Sequence, residues 1–502
     1  MTDPSVPLDG VQFPLVDGRR STTATGRSVF SAAAAAVDPD LGRRITDARD
    51  WHTGYAQLLR ELVAADLTTP TAEPEAVPRT GLQATYETFR YHRGEASVPV
   101  AEAAALPTRV ELETVTARGR QAPARELEIP YRGRLLRGDD LRRQLESWTT
   151  AGVVEPSLAE AVRRVVDEPA WLDLSDLTVV VLGAASEMGP LGQLLRWNAT
   201  VVPVDLPRPR VWDRVLGALR DGAGRAHVPV RHRVDPEDHA ALAVVAGADL
   251  DTELPEVAAW LAGFDGVDAV GTYVYADGAD NVRVSLAADV LATGLLARRP
   301  QALLAGLLTP TDVYAAPLEA VEAARERLAG GRADRLARAA TRGRGFRPQY
   351  EETMTTPGGA QFGLADCQVL QQGPNYALAK RLARWRFRVA RADGFAVSAN
   401  VAPATSTRSV TSNRLLAAAY AGAHHFGVEV FRPETSNALM AALLVRDLRD
   451  PAAAGRPERE LPHPQALFAD TAAHGGLWRL PWAPRSVLPL AAVLGLPASL
   501  RR

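Results

Sequence analysis

Residues 177–189 read LTVVVLGAASEMG, a β-branched apolar run cut off by glycine and small residues. A buried parallel strand enters a phosphate-binding turn in this way. Apolar, strand-like runs recur at 199–204, 243–247, 267–275, 302–308 and 395–401, with helical patterns between most of them. That alternation predicts an α/β fold built on a doubly wound parallel sheet. Residues 317–372 interrupt it with a helix-like LEAVEAARERLAGGRADRLARAA and the basic loop TRGRGFRPQY, and are expected to form an insertion or lid. TRGRGFRPQY reads as a solvated basic loop, with binding of a phosphate tail as the alternative.

Working outward, residues 171–450 form the expected nucleotide-binding domain and 451–502 an apolar C-terminal tail broken by Pro489 and Pro497. Residues 1–37 mix Pro, Ser, Thr and Gly before Ala32–Ala36 and read as a flexible arm. Residues 38–168 read as an added α+β region. In it, ITDARDWHTGYAQLLRELVAADL sets Trp51, Tyr55, Leu58, Leu59 and Leu62 on one helical face. A second helix is expected over 81–91, and VELETV and RELEIPY alternate as two strands of a hairpin would. Two more helices follow, the second capped by Ser157.

The chain has 502 residues, a formal charge of -2, 46% hydrophobic and 23% charged residues, which is ordinary globular composition with more than one unit. Such a charge balance offers no field for nucleic acid or an anionic membrane, so the expected partner is a small-molecule substrate. Cys367 is the one cysteine, which rules out an intramolecular disulfide and fits a cytoplasmic setting. MTDPSVPLDG lacks the basic and apolar segments of a secretory signal, and no transmembrane segment is expected.

In GAASEMG, Gly183 suits a tight turn and Gly189 a close helix approach, with the helix N-terminus facing a pyrophosphate. Asp205 ends the next strand about 20 residues on, where a carboxylate accepts hydrogen bonds from a ribose or simply caps the strand. The ribose role favours NAD, while Arg208 and Arg210 are placed to contact a 2′-phosphate instead. In NYALAK, Tyr376 and Lys380 share a helical face. A phenol titrates near 10 in water, and an adjacent ammonium makes it a usable acid or base. His424 and His425 point about 100° apart on a helix and lack a carboxylate at ligand spacing, and no metal site is expected. Cys367 reads as a small buried hydrophobe.

Taken in order, the glycine turn at 183–189, Asp205, GADL at 247–250, GPNYALAK and the Pro403 loop resemble a classical short-chain dehydrogenase/reductase over a little over half the chain. The resemblance implies a Rossmann-like fold binding NAD or NADP and reversible hydride transfer between the cofactor and a carbonyl or secondary alcohol; the insertion and the N-terminal region are expected to wall the substrate pocket, which suits a large or acylated substrate. It makes Tyr376 the general acid/base and has Lys380 hold the nicotinamide ribose. Gly183, Ser186, Glu187, Met188 and Gly189 form the phosphate turn, with Asp249 and Leu250 near the adenine. Pro403, Thr405, Ser406 and Thr407 lie at the nicotinamide. It also implies a homo-oligomer through helices flanking the sheet. The pattern departs in four places. Glu187 stands at the third glycine position. The family's Ser before the Tyr is absent, with Thr309 or Thr311 as substitutes. Ser285 stands where a helix Asn is usual, and YVYADGAD replaces NNAG. Two alternatives stay open: a catalytically silent nucleotide-binding scaffold or sensor, and a nucleotide-sugar epimerase or dehydratase.

Overall fold

A computed structural model describes residues 9–16, 18–71, 73–330 and 345–499. Its centre is a seven-stranded sheet of β1 (Glu113–Arg118), β2 (Thr178–Leu182), β3 (Thr200–Val204), β4 (Arg225–Val230), β5 (Ala269–Thr272), β6 (Leu303–Leu308) and β7 (Val397–Val401). The spatial order is β7-β6-β5-β2-β3-β4-β1, parallel throughout except for β1, which runs antiparallel to β4 at the edge. The fold is therefore mixed α/β with a mostly parallel, Rossmann-like sheet. The chain winds outward from β2 in one direction and from β5 in the other, so their shared border is a topological switch point. Ligands of such sheets bind there, beyond the carboxyl ends of the strands.

Successive residues of β2 serve opposite cores, as a strand with period two must when both faces are covered. Val180 and Leu182 pack with helices α1 (Thr22–Ala35), α2 (Trp51–Thr68), α3 (Ala76–Thr88), α4 (Gly278–Arg298) and α5 (Gly373–Ala392). Val179 and Val181 pack with the helices at Gly138–Thr150, Pro156–Asp167, Pro209–Arg220 and Pro433–Arg449. Among the described residues no helix is long and apolar enough to cross a membrane.

Several elements differ from the sequence reading. Residues 243–247 are not a strand: Asp238 accepts from Ala241 N at 3.0 Å and caps a helix over His239–Val245. A short Ala/Val run has no period that separates helix from strand, and the cap decides. The strand in that place is RAHVPV at 225–230, whose Arg, His and Pro conceal it; its ladder is shared with β1. VELETV and RELEIPY accordingly form no hairpin together, and Ile129–Tyr131 pairs with Arg134–Leu136. The second helix is Ala76–Thr88, followed by a strand at Arg90–Arg93. Ser157 lies one residue inside its helix after Pro156 and accepts from Thr471 N at 3.0 Å. Where a flexible arm is expected, α1 buries Val29, Phe30 and Ala33, with Ser21 as its cap.

The insertion begins as the helix Leu318–Gly330; the rest of its expected helix and the start of the basic loop lie outside the described residues. Its other content is an antiparallel sheet of Val313–Pro317, Met354–Thr355 and Gln361–Asp366. Two later helices, α6 (Arg414–Gly422) and α7 (Pro484–Ser499), cross so closely that a Cβ on Gly422 would lie 2.0 Å from the Ala491 carbonyl oxygen.

Candidate active site

A cleft of about 1230 Å³ opens beyond the carboxyl ends of β2, β3, β5, β6 and β7. It exceeds the ~300–1,000 Å³ usual for one small ligand. Of the residues the sequence nominates, Gly189, Arg210, Ser285 and Ser406 do not line it and the others do.

Its floor is the turn after β2. Gly183 sits at φ +81°, and an added Cβ would come within 2.9 Å of the Tyr273 and Val274 backbone, so only glycine fits. Gly183 N and Ala184 N both donate to Val204 O, tying the turn to β3. Gly189 has a different role from the one expected: its carbonyl accepts from the Asn437 side chain, and the nearest atom to an added Cβ is 3.4 Å away. The helix after it spans only Leu191–Arg196, too short to present a strong dipole to a pyrophosphate.

Asp205 reaches the cleft, yet both carboxylate oxygens are engaged by protein. Oδ2 accepts from Ala185 N at 2.7 Å and Oδ1 from Leu206 N at 2.8 Å. Burial pushes its carboxyl up, against the pull of these amides. Arg208 and Arg214 line the cleft nearby and form no ion pair among the described residues, whereas Arg210 does not line it. Asp249 accepts from Asp251 N at 2.9 Å, and Leu250 is buried beside it. Glu187 lines the cleft with one oxygen tied back: Oε2 accepts from Arg408 N at 2.9 Å, joining the glycine turn to the loop after β7.

In that loop Pro403, Thr405 and Thr407 line the cleft and Ser406 does not. The Thr405 hydroxyl turns inward to Pro403 O and Ser436 Oγ, at 2.8 and 2.7 Å, while Ser406 donates to Phe431 O. Thr407 pairs with Ser409 Oγ at 3.0 Å.

At the far end, α5 presents Tyr376 and Lys380 one turn apart. Tyr376 Oη donates to Thr309 Oγ1 at 2.8 Å; Thr309 and Thr311 hydroxyls lie 2.8 Å apart, and Thr311 donates to Gln372 Oε1 at 2.8 Å. Thr309, just past β6, is thus the hydroxyl beside the phenol. Lys380 Nζ lies 5.6 Å from the Tyr376 ring centre and 5.9 Å from that of Tyr275, in cation–π range of both. Burial lowers Lys380 to about 8 and raises Tyr376, whose hydroxyl contacts to Thr309 and Thr311 oppose that rise.

Sequence reasoning missed Tyr275, Asn281, Gln372, Arg214 and Arg408. Tyr275 stands in the YVYADGAD stretch and donates to Asp277 Oδ1 at 3.1 Å. Asn281, one helical turn before Ser285, is 1% exposed; its Oδ1 accepts from Ala276 N, and its Nδ2 has no hydrogen-bond partner among the described residues. Asn281 lines the cleft and Ser285 does not, so the amide side chain on this helix is at 281. His424 and His425 are exposed neighbours of each other, and no cluster of metal-holding side chains occurs among the described residues.

No protein-family model and no curated protein matches this chain. Among solved structures, it is similar to the crystal structure of the terminal R domain from the myxalamid PKS-NRPS biosynthetic pathway, at 14% identity and a TM-score of 0.28. The match covers 51% of this chain and 59% of that one. A likeness of this size bears on neither fold nor activity.

Proposed function

We propose that this chain is an oxidoreductase of the short-chain dehydrogenase/reductase type, moving a hydride between a nicotinamide dinucleotide and a carbonyl or secondary alcohol. The observation that carries this reading is the Tyr376–Thr309 hydrogen bond with Lys380 against the phenol, at the β6 end of a cleft large enough for a dinucleotide and a second molecule. The residues fit such a cofactor. Gly183 keeps the turn after β2 tight against the Tyr273–Val274 backbone, Asn281 Nδ2 has no hydrogen-bond partner among the described residues, and Arg208 and Arg214, which draw on the Asp205 carboxylate, form no ion pair among the described residues. Because the Asp205 carboxylate is spent on backbone amides, the reading shifts from NAD toward NADP, with Arg208 and Arg214 holding the 2′-phosphate.

The bound dinucleotide would supply or accept the hydride. Tyr376 Oη gives its proton to the carbonyl oxygen as an alcohol forms, and Thr309 Oγ1 offers that oxygen a second hydrogen bond, an electrophilic contact where negative charge develops. Lys380 stabilises the phenolate left behind. Val410, Leu416 and Tyr420 give this end an apolar wall, suited to an acyl or otherwise large substrate.

One observation favours a second reading, a silent nucleotide-binding scaffold: Glu187, Asp205, Asp249 and Asp251 place four carboxylates along the half of the cleft assigned to the dinucleotide. Titration with NADPH and NADH, followed by nicotinamide fluorescence, separates the two. The reductase reading expects saturable binding, weaker in Lys380→Ala, with the NADPH preference lost in Arg208→Ala/Arg214→Ala and turnover lost in Tyr376→Phe. Binding without turnover in the wild type would favour the scaffold, and no binding of either cofactor would sink both.

A further inference from the structure

Thr309 and Tyr376 are 67 positions apart, yet their hydroxyls meet at 2.8 Å. The insertion lies between them, so something must close its base. Cys367 N donates to Asp312 O at 3.1 Å, where Val313–Pro317 and Gln361–Asp366 pair. The stronger tie is ionic. Asp312 follows Thr311 directly, and Arg381 follows Lys380. Arg381 Nε donates to Asp312 Oδ2 at 2.9 Å and Nη2 to Oδ1 at 2.5 Å, a two-point contact that fixes orientation as well as distance. Arg384, one turn on, reaches Asp312 Oδ2 at 3.3 Å. Its guanidinium stacks 4.5 Å from the ring of Tyr314, whose hydroxyl donates to Thr309 O at 2.6 Å.

We propose that Asp312 and Arg381 are the positioning pair of this site: they clamp the Thr309–Thr311 loop to the helix that carries Tyr376 and Lys380, so that the two hydroxyls stay in register across the insertion. The inference rests on the reductase reading. Both side chains are buried and neither touches the cleft, so they act through Thr309 and Tyr376 and not on a substrate. Arg381 and Arg384 hold the Asp312 carboxyl below the usual range against the opposing pull of burial, which keeps the clamp charged at neutral pH.

The test measures NADPH-dependent reduction of acetoacetyl-N-acetylcysteamine, a small 3-ketoacyl thioester, together with NADPH affinity by fluorescence. Asp312→Asn and Arg381→Lys each remove the two-point contact, the second without losing the cation. Misplacement by about an ångström costs on the order of 100-fold in rate. The clamp therefore predicts a kcat about 100-fold lower in both variants, with KM and NADPH affinity within about twofold of wild type. Asp289→Asn is the control: it severs an equally two-pointed pair that ties the same helix to α4, Arg386 with Asp289 at 2.8 and 2.8 Å, and does not touch the Thr309 loop. Its kcat should stay within about twofold of wild type, as the misplacement argument requires. Full kcat in Arg381→Lys, or an equal loss in Asp289→Asn, overturns the inference alone. Should Asp312→Asn not fold, Arg381→Lys carries the test. Wild-type protein that fails to reduce the thioester with NADPH overturns the reductase reading and the clamp with it.

Discussion

Lys380 is an ammonium held where burial disfavours its charge, lowered to about 8 from the ordinary lysine value of 10.5. The native chain therefore bears a cost for charging Lys380 that the unfolded chain does not. The cost is complete below pH 8, where both states hold the proton, and disappears above about 10.5, where neither does. Lys380→Met should thus raise the midpoint of thermal unfolding at pH 7, with the gain shrinking as pH climbs from 8 to 10.5, while cofactor binding weakens. A variant no more stable than wild type at pH 7 would show that Lys380 is not under this strain. Tyr376 and Lys380 were legible in the sequence because a helix brings positions four apart together whatever surrounds it. The occupations of Glu187 and Asp205 were not, since their partners are backbone amides of loops at 408 and 185 that only tertiary folding delivers. Asn281 and Gln372 carried no motif at all, and their relevance appears only from the cleft.

At the scale of elements, legibility followed the clarity of the period. The apolar runs at 178–182, 200–204 and 303–308 became strands within a residue or two, and Trp51, Tyr55, Leu59 and Leu62 are buried on one helix as their spacing required. RAHVPV failed because a strand shared with an antiparallel edge partner tolerates polar residues and proline, which resemble loop chemistry. Packing between helices was also invisible in sequence. Gly81 on α3 faces Trp385 on α5 so closely that a Cβ would sit 2.5 Å from the indole ring, and Phe30 of α1 meets the same ring edge-on at 5.8 Å. A larger residue there must push back the helix bearing Tyr376. Gly81→Val is expected to destabilise by about 1–3 kcal/mol, as overpacked cores do, and to lower kcat by misplacing the phenol. Urea unfolding and steady-state kinetics read the two effects; wild-type stability in the variant would show that α3 yields freely.

On the scale of the whole molecule, none of the described residues before 169 contributes a wall to the cleft, so the N-terminal region does not shape it as an added domain often does. It supplies an edge strand to the sheet and a layer of helices over α4 and α5, the face expected to carry a homo-oligomer. Tyr86 of α3 donates to Asp289 of α4 at 2.8 Å, and Asp289 in turn takes Arg386 of α5. Arg388 is buried between Asp66 and Glu75, so its charge is neutralised by the N-terminal helices. Removing that layer would leave a buried cation and an apolar face unmatched, which is costly without a partner. The full chain should therefore not associate through this face. Light scattering at micromolar concentration is expected to give one chain per particle, and a chain beginning at residue 90 to self-associate or precipitate. A full-length dimer would have to use another surface, and the exposed Leu490, Val493 and Leu494 of α7 form the apolar candidate. Val493→Asp then decides between them: a dimer that survives this change would mean that the α4–α5 face opens to a second copy after all.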